Sequence, residues 1–332
     1  MKMTKIVLKR FFAISLALTL ICTFAAGCGG GSASSGGGGG KILIALHDDT
    51  DTFLVKLVEA METKAKADGV SYDIVYAGNS TDVQKQQIEQ AAKGGYSAVI
   101  CRLCDATTAL QMEAAAGDLP IVFINNEPNI DVLKGDKYIY VGSYEQDAGR
   151  FQAEYIWNAL GKPSKVDLIL LKGEKGHSAV EPRTDAVKYY LWDNGVDVNI
   201  VFCDFATWSD TLAYERLDMF KLTGQNFDCI IANNDPMAVG AINWLKDNGY
   251  DTHKYLVAGI DATASGCEAV EAGDMYMTVL QDTAGQGNAA IESAKILGSG
   301  KSLSGVEGAT DNLKYVWVPF VPVTKDNVAK YK

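Results

Sequence analysis

"KILIALHDDTDTFLVKLVEAMETKAKADG", residues 41–69, decides the reading of the fold. Its first six residues form an apolar run, the pattern of a strand buried on both faces. Leu54, Leu57, Val58 and Met61 then recur on one face of a helix, and Gly69 is placed to close it. Between strand and helix lies "HDDTDTF" (47–53), and that junction is where open α/β sheets hold their ligands. A pyrophosphate needs a glycine there, so that backbone can approach it, and carboxylates would repel it. This turn has no glycine and three aspartates. It argues against a dinucleotide and for a ligand that donates hydrogen bonds.

The same alternation continues outward. Apolar runs recur at "YDIVY", "SAVIC", "PIVFI", "VDLILL", "VNIVF", "DCIIA", "YLVAGI" and "YMTVL", with amphipathic stretches of helical length between them. "TDVQ" (81–84) reads as a capping box opening the second helix, and Gly94–Gly95 as its end. Strands alternating with helices imply βαβ units and parallel pairing. Nine or more strands are too many for one small doubly wound sheet, so two sheets are expected. No polar linker divides them, which implies strand-like crossings between the halves.

The chain has 332 residues, 48% apolar and 21% charged, an ordinary globular composition with ample length for a core. Residues 1–28 read as an export signal: a basic start, "MKMTKIVLKR", then "FFAISLALTLICTFAAG" ending at Cys28. That cysteine is the expected lipid-attachment residue of a bacterial lipoprotein, which places the body outside the cytoplasmic membrane. "GGGSASSGGGGG" (29–40) reads as a tether spanning roughly 20 Å. Without the four basic residues of the leader, 26 basic residues face 41 acidic ones, a net charge of −15. So acidic a body excludes nucleic acid and an anionic membrane surface as partners. The five cysteines after Cys28 are odd in number and mostly in apolar runs, so they read as buried thiols rather than a disulfide framework.

No P-loop, G-x-S-x-G or H-E-x-x-H motif is present, and the three histidines lie apart. "CRLC" (101–104) has the spacing of a metal or redox pair but no second pair to complete it. What recurs at the C-terminal ends of strands is a set of planar polar side chains: Asp51, Arg102, His177, Arg183, Asn234, Asp235, Asp261 and Gln281. Phe53 and Trp208 sit among them. Two-pronged groups suit adjacent hydroxyls, which both donate and accept, and an aromatic face suits the C–H face of a sugar ring. Asp51 and Asp235 are also good helix N-caps, and Arg183 could be a solvated helix charge.

In order along the chain, "DTDTF", "VFINNEP", "YVGS", "LLKGEKGH…R", "ATWSDTLA", "IIANNDPMAVGA", "GIDA", "TVLQD" and "VPFVPVTKDN" resemble the galactose/glucose-binding proteins, type I periplasmic binding proteins that serve ABC importers. The resemblance implies two Rossmann-like lobes with parallel sheets, joined by a three-segment hinge near Leu119–Pro120, Leu280–Gln281 and Val316–Trp317. The N-terminal lobe would then be 41–119 with 281–316, and the C-terminal lobe 120–280 with 317–332.

It also implies capture without catalysis of a monosaccharide, a galactose- or glucose-like hexose. The family's ligand positions fall on Asp51, Phe53, His177, Arg183, Trp208, Asn234 and Asp261, with the two aromatics sandwiching the ring. Three positions depart: Arg102 and Gln281 stand where asparagines are expected, and Ala179 where an aspartate is. The charge changes at Arg102 and Ala179 leave two readings. Either Arg102 pairs with an anionic sugar such as a uronate, or it pairs with Asp48 or Asp49 in a neutral hexose site. The family's calcium loop is reduced to "NALGKPSKVD", too poor in oxygen donors for an ion that takes about six or more, so no metal or other cofactor is expected. The implied partner is an ABC permease, with a chemoreceptor or sensor kinase as alternative, and the body is expected to be a monomer. The competing enzyme reading would have only Asp51 with His177 as an acid/base pair. A DNA-binding regulator of this fold would begin with a helix-turn-helix instead of a leader.

Overall fold

The computed structural model describes residues 40–49 and 51–332. The leader, Cys28 and all of the tether but Gly40 lie outside the described residues. The chain runs β1 (Lys41–Leu46), α1 (Thr52–Asp68), β2 (Tyr72–Tyr76), α2 (Thr81–Lys93), β3 (Tyr96–Cys101), α3 (Ala109–Ala116), β4 (Ile121–Ile124) and β5 (Tyr138–Gly142). It continues through α4 (Glu145–Ala159), β6 (Lys165–Lys172), α5 (Val180–Asp193), β7 (Asp197–Phe205), α6 (Asp210–Lys221), β8 (Cys229–Ala232), α7 (Asp235–Asp247) and β9 (Leu256–Ala258). Last come α8 (Ala264–Ala272), β10 (Met277–Leu280), α9 (Thr283–Gly298), β11 (Tyr315–Trp317) and β12 (Val321–Thr324).

These strands make two six-stranded sheets, β11-β5-β4-β3-β1-β2 and β12-β10-β9-β8-β6-β7. All pairs are parallel except β10 with β12. The near-continuous apolar runs follow from helices on both faces. In the first sheet Ile42, Ile44 and Leu46 pack with Leu54, Leu57 and Ile291, while Leu43 and Ala45 face Ile88 and Met112. In the second, Ile169 and Leu171 meet Leu217 and Trp244, and Leu168 and Leu170 meet Ile156 and Val187. Each fully buried Leu or Ile contributes about 1.5–3 kcal/mol by leaving water. This is the two-lobed α/β architecture expected above.

The chain passes between sheets three times, and two of the expected boundaries move. β4 and β5 belong to the first sheet, so the first passage follows Gly142 instead of Leu119–Pro120. The physical reason is local: the connection from α3 is short, and it returns β4 beside β3, the strand just left. The second passage follows Leu280, since α9 packs against the first sheet. The third comes after Trp317, because Trp317 still pairs with Gly142. The passages are tied together: Gln286 Nε2 donates to Ser143 Oγ at 2.9 Å, and Val318 N to Gly142 O at 2.8 Å.

Two local expectations also change. Ser80, not Thr81, caps α2, its Oγ accepting from Val83 N at 3.4 Å. Gln84 turns inward instead, donating to Arg102 O at 2.8 Å and accepting from Cys104 N at 3.1 Å, because the backbone after β3 needs partners. Of the five described cysteines, Cys101, Cys229 and Cys267 are buried, Cys104 is half-buried, and Cys203 is exposed on the edge strand β7.

Candidate ligand-binding cleft

Both sheets share one strand order, in which the first strand of the lobe lies between its second and third. From β1 the chain leaves to α1 on one face of the sheet, and from β3 to α3 on the other. β6 and β8 do the same with α5 and α7. Such a reversal opens a crevice at the carboxyl ends of the strands. The two crevices form the walls of one cleft of about 1120 Å³. Nine of the ten candidate residues line it: Asp51, Phe53, Arg102, His177, Arg183, Trp208, Asn234, Asp261 and Gln281.

On the first lobe, Asp51 is the N-cap of α1, its Oδ1 accepting from Phe53 N at 2.8 Å and Leu54 N at 3.1 Å. Capping therefore fixes the carboxylate and the first turn that carries Phe53. Arg102 is 3% exposed. Its Nε donates to Asn125 Oδ1 at 3.0 Å and its Nη1 to Leu103 O at 2.8 Å, which uses two of five N–H groups. Asp51, Glu174 and Asp48 supply the negative charge around it.

On the second lobe, Trp208 is seated by its neighbours. His177 meets it edge-on with ring centres 5.2 Å apart, and Asn234 Nδ2 donates to its carbonyl at 3.4 Å. A Cβ on Gly173 would lie 2.1 Å from the indole, so only glycine fits there. Arg183 is buried rather than solvated, as a helix charge would be. It donates to Glu145 Oε2 (2.6 Å), Asn233 O (2.8 Å) and Gln281 Oε1 (2.9 Å), which leaves the Gln281 amide N–H groups for a ligand. Asn234, not Asp235, is the N-cap of α7, accepting from Met237 N at 3.1 Å. Asp235 is the first helical residue, fully buried, and does not line the cleft. No protein donor reaches the Asp261 carboxylate among the described residues, and burial raises its proton affinity well above the usual range.

Residues outside the original set also line the cleft, notably His47, Asn125 and Glu174. Asn125 Oδ1 faces both Arg102 Nε and His177 Nε2, the latter at 3.4 Å, and so bridges the lobes. Beside it Ser178 N donates to Asn126 Oδ1 at 3.2 Å and Ser178 Oγ accepts from Glu127 N at 2.7 Å. The signal for Asn125 was present in "FINNEP", an asparagine at a strand end where a left-handed residue is tolerated. His177 accepts from Ala179 N on Nδ1 at 3.2 Å, so its Nε2 carries the proton; it is not paired with Asp51. Burial, then the Arg102 charge, hold both histidines neutral, His47 at about 4 and His177 well below the imidazole range.

Backbone strain gathers here too. Nine non-glycine residues have positive φ among the described residues, and six of them line the cleft: Asn79, Asn125, Thr207, Trp208, Asp261 and Ala262. Each such residue costs on the order of 1–3 kcal/mol and persists where surrounding structure holds it, commonly at ligand sites.

Residues 42–302 match the periplasmic binding protein domain. The chain is 34% identical over 287 residues to a putative rhizopine-binding protein of Rhizobium meliloti, covering 85% of this chain and 89% of that protein. It is 28% identical to the D-galactose/methyl-galactoside binding periplasmic protein of Haemophilus influenzae, over 88% and 91% of the two chains. Among solved structures, an ABC transporter solute binding protein from Bacillus halodurans with bound myo-inositol superposes with a TM-score of 0.77 at 26% identity, over 90% of this chain and 99% of that one. With two α/β lobes, a cleft at both switch points and a family match over most of its length, this chain belongs to the periplasmic binding proteins.

Proposed function

We propose that this protein captures a neutral cyclic polyol of monosaccharide size, a galactose- or glucose-like hexose or a cyclitol, between its lobes for ABC-type import. The observation that carries this reading is the composition of the cleft wall. One aromatic ring comes from each lobe, Phe53 and Trp208, and around them stand carboxylates, amides and guanidinium groups with unused donors or acceptors. Asp51 and Asp261 accept from hydroxyls; Arg102, Asn234, Gln281 and Arg183 donate to them. His177 exchanges its long bond to Asn125 for a ligand hydroxyl. Relatives named for rhizopine and galactose, and a neighbour holding myo-inositol, support a polyol over a phosphate or peptide. Arg102 already lies in the field of three carboxylates and is held by Asn125 and Leu103, which favours a neutral ligand over a uronate.

No reacting group is needed: ligand touching both lobes favours closure because only the closed state completes both sets of contacts. The membrane partner is proposed to be an ABC permease, and the body to be held at the outer face of the membrane through lipid on Cys28. No helix among the described residues is long and apolar enough to cross a membrane. Thermal melting of the full chain against D-galactose, D-glucose, D-allose, D-ribose, myo-inositol and D-glucuronate tests the reading, since a ligand of the folded state alone raises the melting temperature by mass action. A rise with at least one neutral six-membered ring is expected. Silence from every neutral polyol, or a rise with glucuronate alone, would overturn it.

A further inference from the structure

Asp261 stands on backbone that no ordinary side chain prefers: its φ is 112° and that of Ala262 is 52°. Something must hold the turn in that shape, and the contacts lead to Asp235. Its Oδ2 accepts from Thr263 N at 2.7 Å and from Thr263 Oγ1 at 3.1 Å. Its Oδ1 accepts from Thr278 Oγ1 at 2.6 Å, and that hydroxyl in turn accepts from Ala262 N at 3.3 Å. Asp235 N donates to Ile260 O at 2.7 Å, so the same residue grips the turn on both sides of Asp261. The carboxylate sits in a cradle built to its size. A Cβ on Gly259 would fall 2.2 Å from Oδ1, and one on Gly266 2.0 Å from Oδ2.

A carboxylate with 0% exposure and only acceptor capacity is an expensive group to place in a core unless its donors are fixed. Here all of the side-chain donors lie on the Asp261 turn or on the strand that backs it. Asp235 does not itself line the cleft.

We propose that Asp235, acting through Thr278 and Thr263, is a positioning residue that holds the strained 261–263 turn and thereby aims the Asp261 carboxylate at the ligand. The proposal rests on the reading of Asp261 as a ligand residue. Thr278 is its partner in the task, one hydroxyl passing the constraint from the buried acid to the backbone of Ala262.

A double-mutant cycle in the full-length chain tests this, with D-galactose and myo-inositol as probes and calorimetry as the readout. Thr278→Val keeps the volume and removes the hydroxyl, Asp235→Asn keeps the shape and removes the charge, and Asp261→Ala removes the aimed group. Each alone is expected to weaken binding by about tenfold or more. In the Asp261→Ala background, Thr278→Val should cost less than about twofold more, since residues that act as a unit are not additive. Equal losses in both backgrounds, or unchanged binding in Thr278→Val, would overturn the proposal. Thr278→Ser should restore binding, which a general packing role would not explain. Hydrogen exchange at the Thr263 and Gly266 amides gives an answer that needs no ligand. Asp235→Asn should speed both while α4 and α6 keep wild-type protection, and unchanged exchange would sink the idea. If wild-type protein binds neither probe, the hexose and cyclitol reading fails on those ligands while the exchange result still decides the role of Asp235.

Discussion

His47 and Asp235 are both buried beside the cleft, and burial moves them in opposite directions. Burial, helped by the Arg102 charge, pushes His47 from 6.5 down to about 4; burial pushes Asp235 from 3.8 up to about 7. Neutral His47 contributes stability that is complete above pH 6.5 and is lost as pH falls through the window toward 4. Asp235 does the reverse: its contribution is complete below pH 3.8 and is lost as pH rises toward 7. Between pH 7 and 5 each effect amounts to about 2 kcal/mol, and they oppose. These two contributions should therefore largely cancel each other in the wild-type protein across that range. Asp235→Asn should lose stability on acidification more steeply than wild type, and His47→Gln should gain it; calorimetric melting at half-unit pH steps reads both slopes. Trp208→Ala should weaken ligand binding by about 1–3 kcal/mol, the scale of a well-packed aromatic contact; an unchanged dissociation constant would place the site elsewhere.

At the scale of elements, Gly173 and Ser80 make separable predictions. Gly173→Ala drives a methyl into the Trp208 indole, so affinity should fall by about tenfold or more, while the strand β6, paired on both sides, keeps its melting behaviour. Ser80→Ala should cost about 1 kcal/mol in chemical denaturation and Thr81→Ala much less, because only Ser80 meets an otherwise unpaired amide of α2. The contrast shows what the sequence could reveal. Strands such as "KILIAL" and "VDLILL" were legible because helices on both faces demand apolar residues at every position. Which of Ser80 and Thr81, or of Asn234 and Asp235, becomes the cap was not, because neighbouring residues have the same capping chemistry and tertiary contacts choose between them. The first passage between sheets was hidden for a related reason. β4 reads the same whichever sheet it joins, and only its pairing with β3 decides. The carboxylates and aromatics of the site could be picked out because they interrupt apolar runs at strand ends, whereas the bridging role of Asn125 depends on a partner 52 residues away.

For the molecule as a whole, a ligand held by both lobes should reduce the radius of gyration in solution scattering, and Trp208→Ala at the same ligand concentration should stay near the unliganded value. Cys28→Ser should move the protein from the membrane fraction to the soluble fraction of cells that express it, as expected if that cysteine carries the lipid. The three passages between sheets set what such a motion can be. A single crossing would let the lobes swivel in any direction. Three crossings lashed together by Ser143–Gln286 and Gly142–Val318 leave one axis, as three hinges on one post leave a gate one swing. The outer surface then has a shut posture that is the same for every cargo that fits. A membrane partner reading that surface learns whether the gate is shut and nothing about what is inside, so discrimination among solutes has to be finished in the cleft before the message is sent.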